Sequence, residues 1–382
     1  MTSQTFDGSY KLTFKDFFFK VLNGSAQGII IAVCPSAIVK YMLLPFVNIG
    51  QAWAMDLNAI LVLFCSFLPI IIGVLTALQF NMRPLDVGVM AIAVGASTGS
   101  FKWGTAPSGF VNPVTHLTQT QPGTLFIASG AGDVINAMIV SGIGVITIWL
   151  VSRYLNGFGA VAIILSPLLI GGGVAMLGNF IAPYVGSVTA AIGEFVEMFT
   201  ELQPLPMAIL IAMAFSCIIV TPISTVGIAL AISLSGLGAG AAGIGVVSTT
   251  VVLLINSLQV NSKGTSAAIF LGAMKGMMPS IFKKPRMFLA FITTAAISAL
   301  PVVMFNVQGT PTSAGFGWIG MVSPIQSMVV HGADKTFMSN AVAVVPGLIT
   351  WFVVPIVAGF VVNYVFTKIA HMYSAKDLKQ EM

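Results

Sequence analysis

Residues 205–222 read LPMAILIAMAFSCIIVTP, without one charged side chain, and runs of the same character recur along the whole chain. In lipid, every backbone N–H and C=O must be paired inside the protein, which leaves helices and closed barrels as spanning structures. A run of about 20 apolar residues has the length of a membrane helix. Charge points the same way: 7% of the residues are charged, against roughly a quarter in soluble domains. An all-α polytopic membrane protein is expected, with about ten membrane-embedded helical segments. The clearest spans are 24–47, 57–80, 129–152, 158–182, 205–222, 287–306 and 338–367. These leave no room for a sizeable soluble domain. A polar, amphipathic stretch (1–22) precedes a membrane domain (23–370), and a tail (371–382) follows it. The first stretch lacks the short apolar core and small-residue cleavage site of a signal peptide.

Basic residues report topology here, because Lys and Arg concentrate on the cytoplasmic side. Lys11, Lys15 and Lys20 lie near the N-terminus, and Lys368, Lys376 and Lys379 near the C-terminus. Between them, Lys263, Lys275, Lys283, Lys284 and Arg286 fall in a stretch without acids. Residues 154–262 hold no Lys or Arg, only Glu194, Glu197 and Glu201. Both termini and the 263–286 region therefore read as cytoplasmic, and the three-Glu segment as external or membrane-embedded. The net charge of +5 is too small to suggest nucleic acid. Cys34, Cys65 and Cys217 stand alone in apolar runs and read as small buried hydrophobes.

Two segments are too short to cross comfortably, 85–100 and 264–282, and the second carries Lys275 and Pro279. The run SGLGAGAAGIG within 224–258 fits either close helix packing or a hinge. Two polar, glycine-containing stretches interrupt the apolar pattern, KWGTAPSGF (102–110) and QGTPTSAGFG (308–317). Irregular backbone at membrane depth is tolerated only where protein buries it or where it lines a wet cavity. Interrupted segments at matching places in two halves mark the solute site of many transporters. GTAPSGFVNPV (104–114) and GTPTSAGFGWIGMVSPI (309–325) share Gly-Thr, Pro, Ser and Gly-Phe in order. An internal repeat and coincidence both stay open.

Ionisable groups inside membranes are costly and commonly functional. Asp133 heads a span, where it either caps the helix or lines a site. Glu194, Glu197 and Glu201 share one helical face. For the first two a solvated face competes with function, whereas Glu201, beside Thr200 and Gln203, is the better site candidate. His331 and His116 can exchange protons or hydrogen bonds with a hydroxyl-bearing solute, but neither belongs to a motif of its own. His371 sits in the tail. The sequence holds no metal-ligand spacing, no phosphate-binding glycine loop and no hydrolase elbow, and no cofactor is expected.

Six ordered stretches look like one family: NGSAQGIIIAVCPSAIV (23–39), GDVINAMI (132–139), AIGEFVEMFTELQPLPMAILI (191–211), TPISTVGIALAISLSGLGAGAAGIGV (221–246), VNSKGTSAAIFLGAMKGMMPSIFKKP (260–285) and QGTPTSAGFGWIGMVSP (308–324). They resemble the bacterial phosphotransferase-system EIIC proteins, in a subgroup also described as toxin-regulator membrane proteins. The resemblance implies a homodimeric, EIIC-like transporter with re-entrant hairpins in the cell membrane. It also implies sugar binding near mid-membrane, with phosphorylation by a separate EIIB subunit recharged through EIIA. Glucose-superfamily members typically carry a loop like G-I-T-E-P-I-E-F, then an apolar run and Ala-Pro. The Gly, the Phe and the trailing Pro have counterparts in 309–324, but the sugar-binding Glu has none.

The leading reading is therefore an EIIC-type permease moving a small polar solute, with sugars in view. Its site residues would be Thr310, Thr312, Ser313, Glu201, Asp133, His331, Asn112 and Lys275. A membrane sensor that binds without turnover is one alternative, motivated by the missing Glu. An ion-coupled carrier using Asp133 or Glu201 is another.

Overall fold

The computed structural model describes residues 13–111, 117–154, 162–311, 313–331 and 344–380. Among the described residues helices dominate, and five of them are long and apolar enough to cross a membrane. By residue contacts the chain divides into two compact units, meeting at Ser187 and Val188.

The first unit opens with α1 (Phe14–Asn48) and α2 (Ala52–Ser66), followed by α3 (Leu68–Gln79). The expected span 57–80 is thus two helices, bent by 49° where Phe67 ends one and Pro69 starts the next. Proline at a first turn loses no hydrogen bond, so it starts a new helix at little cost. α1 and α3 lie close because small residues face the contact: a Cβ added at Gly24 would sit 2.6 Å from the Thr76 backbone. α4 (Pro84–Gly95) is short, as its sequence predicts, and begins at an Arg83–Asp86 ion pair of 2.9 Å. Ile72, Phe80, Met90, Ala137 and Val140 form the core of this unit.

An antiparallel hairpin, β1 (Phe101–Ala106) and β2 (Gly123–Ala128), follows with Phe101 opposite Ala128 and Ala106 opposite Gly123. The sequence marks only 102–110 here, as a polar, glycine-containing interruption. A tilted cross-strand contact of Trp103 with Phe126, 4.3 Å between ring centres, helps explain a strand pair in so small a sheet. α5 (Val134–Tyr154) is the next span, and α6 (Ala162–Leu165) runs through a π-helical turn (Ser166–Gly172) into α7 (Gly173–Glu197).

In the second unit a 3₁₀ turn (Met198–Glu201) precedes α8 (Pro204–Ile218) and the short α9 (Thr225–Ala231). α10 (Gly236–Val260) is almost wholly buried and forms the axis of this unit. Its glycine run is a packing device: a Cβ at Gly240 would lie 2.1 Å from Val307 O, and one at Gly245 2.2 Å from Ala212 O. Without side chains at these points neighbouring backbones come into contact, as membrane helices do at small residues. α11 (Lys263–Leu271), a 3₁₀ turn (Ala273–Met277) and α12 (Met278–Lys283) come next, then α13 (Met287–Ser298) and α14 (Leu300–Met304). After non-helical backbone at 305–311 and 313–318 and a 3₁₀ turn (Ile319–Met321) come α15 (Val322–His331) and a last span, Val344–Ile369. Ile211, Phe215, Ile244, Val247 and Trp351 lie in the core.

The tail folds back rather than trailing away. Tyr373 is 4% exposed and Leu378 fully buried. The Tyr373 hydroxyl donates to Asn363 Oδ1 at 2.8 Å, and Asn363 Oδ1 also accepts from Asn256 Nδ2 at 2.6 Å. Burial pushes the Tyr373 hydroxyl above its ordinary pKa, so it stays a neutral donor.

Candidate functional site

Three breaks in helical structure meet within the second unit. The first follows α8, where Pro222 stops the helix and residues 219–224 run out of regular structure. The Thr221 side chain turns back onto Ile218 O at 2.7 Å, and Ser224 caps α9 by accepting from Gly227 N at 3.0 Å. This leaves the Thr221 and Ile223 carbonyls without helical partners.

The second break supplies those partners. Gly272 sits at φ 132°, which residues with side chains rarely adopt, and α11 ends there. The 3₁₀ turn beyond it carries Lys275, whose Nζ donates to Thr221 O at 2.5 Å and Ile223 O at 2.7 Å. A cation beside a helix's last carbonyls is favourable both through the dipole and through direct hydrogen bonds.

The third break lies at residues 308–311 and 313–317. Gly309 and Gly236 exchange backbone hydrogen bonds of 2.9 and 3.0 Å, fastening the turn to the start of α10. Thr225 Oγ1 donates to Gly315 O at 2.8 Å, fastening it to α9. Gly315 has φ 82°, and a Cβ there would approach the Thr225 backbone to 2.8 Å. Inside the turn, Ser313 Oγ accepts from Thr310 N at 2.9 Å and donates to Thr310 O at 3.0 Å. Ser323 Oγ accepts from Gly317 N and donates to Ser313 O, at 2.9 and 2.7 Å. Trp318 anchors the whole, stacked on Phe352 and donating to Trp351 O at 3.0 Å.

Lys275, Thr310 and Ser313 are thus brought into one cluster, linked through residues 221–225. Ser313 is 1% exposed and its hydroxyl is spent holding the turn, so its geometry fits a positioning role. Thr310 and Lys275 are half-buried. Glu201 ends the exposed 3₁₀ turn before α8, and Glu194 and Glu197 are exposed as well. Asp133 belongs to the first unit, where its Oδ1 accepts from Asn136 N at 3.0 Å and caps α5. Thr312, Asn112 and His116 lie outside the described residues; for His331 only the helical backbone is described. Residues 104–106 are β-strand, whereas Gly309 forms a single bridge to Gly236 and the chain turns from Pro311, so the two similar stretches adopt different backbones. Among the described residues no group of three or more His, Cys, Asp or Glu could hold a metal.

Sequence reasoning missed the partners that make the cluster: the Thr221 and Ile223 carbonyls, Thr225 and Ser323. The string TPIST (221–225), a proline among hydroxyls after an unbroken apolar run, was the available signal.

Several apolar spans, combined with short, interrupted helices and irregular backbone, are the features of a polytopic membrane protein with broken helices. The family model for the phosphotransferase system EIIC component matches residues 19–380, and the chain belongs to that family. It is accordingly a multi-pass membrane permease component of the phosphotransferase system, which works with EIIB and EIIA partners on a polar substrate. Comparison with curated proteins and with solved structures returned no match.

Proposed function

We propose that the protein moves a small hydroxyl-rich solute, with sugars the leading class, through the three-break cluster of the second unit. A separate EIIB subunit transfers its phosphoryl group to the solute and is recharged through EIIA, and two copies of the chain form the working permease. One observation carries the site: the Lys275 ammonium rests on two unwound carbonyls beside a turn built from Thr310, Ser313 and glycine backbone. A sugar hydroxyl both donates and accepts, so a mixed surface of carbonyls, amides, a threonine hydroxyl and one cation suits it. Family membership supports the transport role, and the positive-inside pattern of basic residues supports cytoplasmic termini and a cytoplasmic 263–286 region, the side from which EIIB would act.

The test is uptake of a panel of radiolabelled sugars and polyols into membrane vesicles supplied with phosphoenolpyruvate and the soluble phosphotransferase proteins. Lys275→Met should cut uptake by about tenfold or more, through the loss of two charge-assisted hydrogen bonds. Glu201→Gln and Ser313→Ala are assayed beside it. Unchanged affinity and rate in all three variants would remove the site. Binding without flux for every member of the panel would replace the permease reading with that of a sensor.

A further inference from the structure

The first unit contains a second polar cluster, where α4 ends and α5 begins. Asn136 is fully buried, and its amide nitrogen donates to Ser97 O at 2.7 Å and Gly178 O at 3.2 Å. Two acceptors fix the orientation of the amide, so Oδ1 faces away from them, and it has no partner. Thr98 Oγ1 and Ser100 Oγ are in the same condition, in residues 5% and 0% exposed. These are three of the eight such atoms among the described residues, and their residues are linked by the contacts around Ser97, Gly132 and Asp133. Thr98 O accepts from Asp133 N at 2.9 Å, and a Cβ on Gly132 would come within 3.1 Å of Thr98 Oγ1. Buried polar atoms are normally satisfied by protein, water or ligand, so three orphans in residues tied together through Ser97, Gly132 and Asp133 point to a bound group that satisfies them.

We infer that the junction of α4 and α5 binds an alkali-metal cation through the oxygens of Thr98, Ser100 and Asn136, with the Asp133 carboxylate supplying the balancing charge. Every unpartnered atom there is an oxygen, the donor type that hard cations take. The formal charge of the named residues is a single negative one, which matches a monovalent ion. The carbonyl end of α4 adds negative potential. Unwound carbonyls and helix C-terminal ends hold monovalent ions in broken-helix transporters for the same electrostatic reason. This site is independent of the permease reading: its residues lie in the first unit, and its test measures ion binding rather than solute flux.

The experiment is thermal unfolding of the purified full-length protein in NaCl, KCl, LiCl and choline chloride at equal ionic strength. One alkali ion should raise the midpoint saturably above that in choline, because a ligand of the folded state stabilises it by mass action. Thr98→Val and Ser100→Ala should each raise the half-saturating ion concentration about tenfold, the scale seen when a metal site loses one supporting group. Asp133→Asn, which keeps an oxygen to cap Asn136 N, should do the same. All three should keep the parent midpoint in choline. Equal parent midpoints in all four salts would overturn the site and assign the three oxygens to buried water. An ion-specific rise retained at full affinity by all three variants would overturn it too. If a variant unfolds too readily to scan, saturable binding of radioactive sodium or rubidium to the parent supports the site, and its absence sinks it.

Discussion

Thr225 shows how a single side chain can hold an irregular turn in place. It is 3% exposed, and its hydroxyl satisfies Gly315 O, a carbonyl outside any helix or strand. Substitution Thr225→Val keeps the volume and deletes the donor. It leaves a buried carbonyl unpaired and should cost about 1–3 kcal/mol of stability. Chemical or thermal unfolding of the detergent-solubilised protein would measure the loss, with Thr225→Ser as the variant that retains the bond. A valine variant as stable as the parent would mean that water reaches Gly315 O. Lys275 illustrates the converse difficulty at the same scale. In sequence it is a site candidate whose partners are not visible, since the Thr221 and Ile223 carbonyls just beyond α8, which accept from it, lie 54 and 52 residues away.

At the scale of the element, α10 is defined by where it lacks side chains. Its sequence permits a hinge or a packing face, and the structure separates the two readings through distance. Gly245 faces Ala212 O so closely that an added methyl group has nowhere to go, whereas Gly186 of α7 has no atom within 4 Å of its added Cβ. Gly245→Ala should therefore destabilise the protein by about 1–3 kcal/mol through overpacking. Gly186→Ala should be neutral or stabilising by up to about 1 kcal/mol, the helix-propensity gain. Unfolding midpoints of the two variants, measured side by side, test this. If Gly245→Ala kept full stability and lost flux alone, the glycine would be a hinge.

At the scale of the molecule, the tail closes onto the second unit. Asn261 accepts from Gln380 N at 2.8 Å and donates to Leu378 O at 2.9 Å; Gln380 Nε2 reaches Gly276 O at 2.8 Å, next to Lys275. Lys284 and Asp377 add an ion pair of 3.5 Å, worth little while both remain partly exposed. Deleting residues 371–382 should free the 273–277 turn. Amide exchange there should rise about tenfold or more, while exchange in α3, α4 and α5 stays as it was. Equal exchange at 273–277 with and without the tail would show that the turn is held from within.

The sequence alone determined the solvent, the class and most of the helices. Those follow from local composition: apolar runs of span length, proline and glycine at their ends, and basic residues near the termini. It also marked 264–282 and 308–317 as breaks, since glycine and proline act on the residues beside them. The hairpin at 101–128 escaped, because its evidence is a cross-strand pair, Trp103 with Phe126, rather than a periodicity. The tertiary structure alone decided what the breaks are for. Lys275 meets Thr221, Thr225 meets Gly315 and Gln380 meets Gly276 across 54, 90 and 104 residues of chain. Orphan carbonyls are created locally but satisfied from a distance, and no short window of sequence contains both partners.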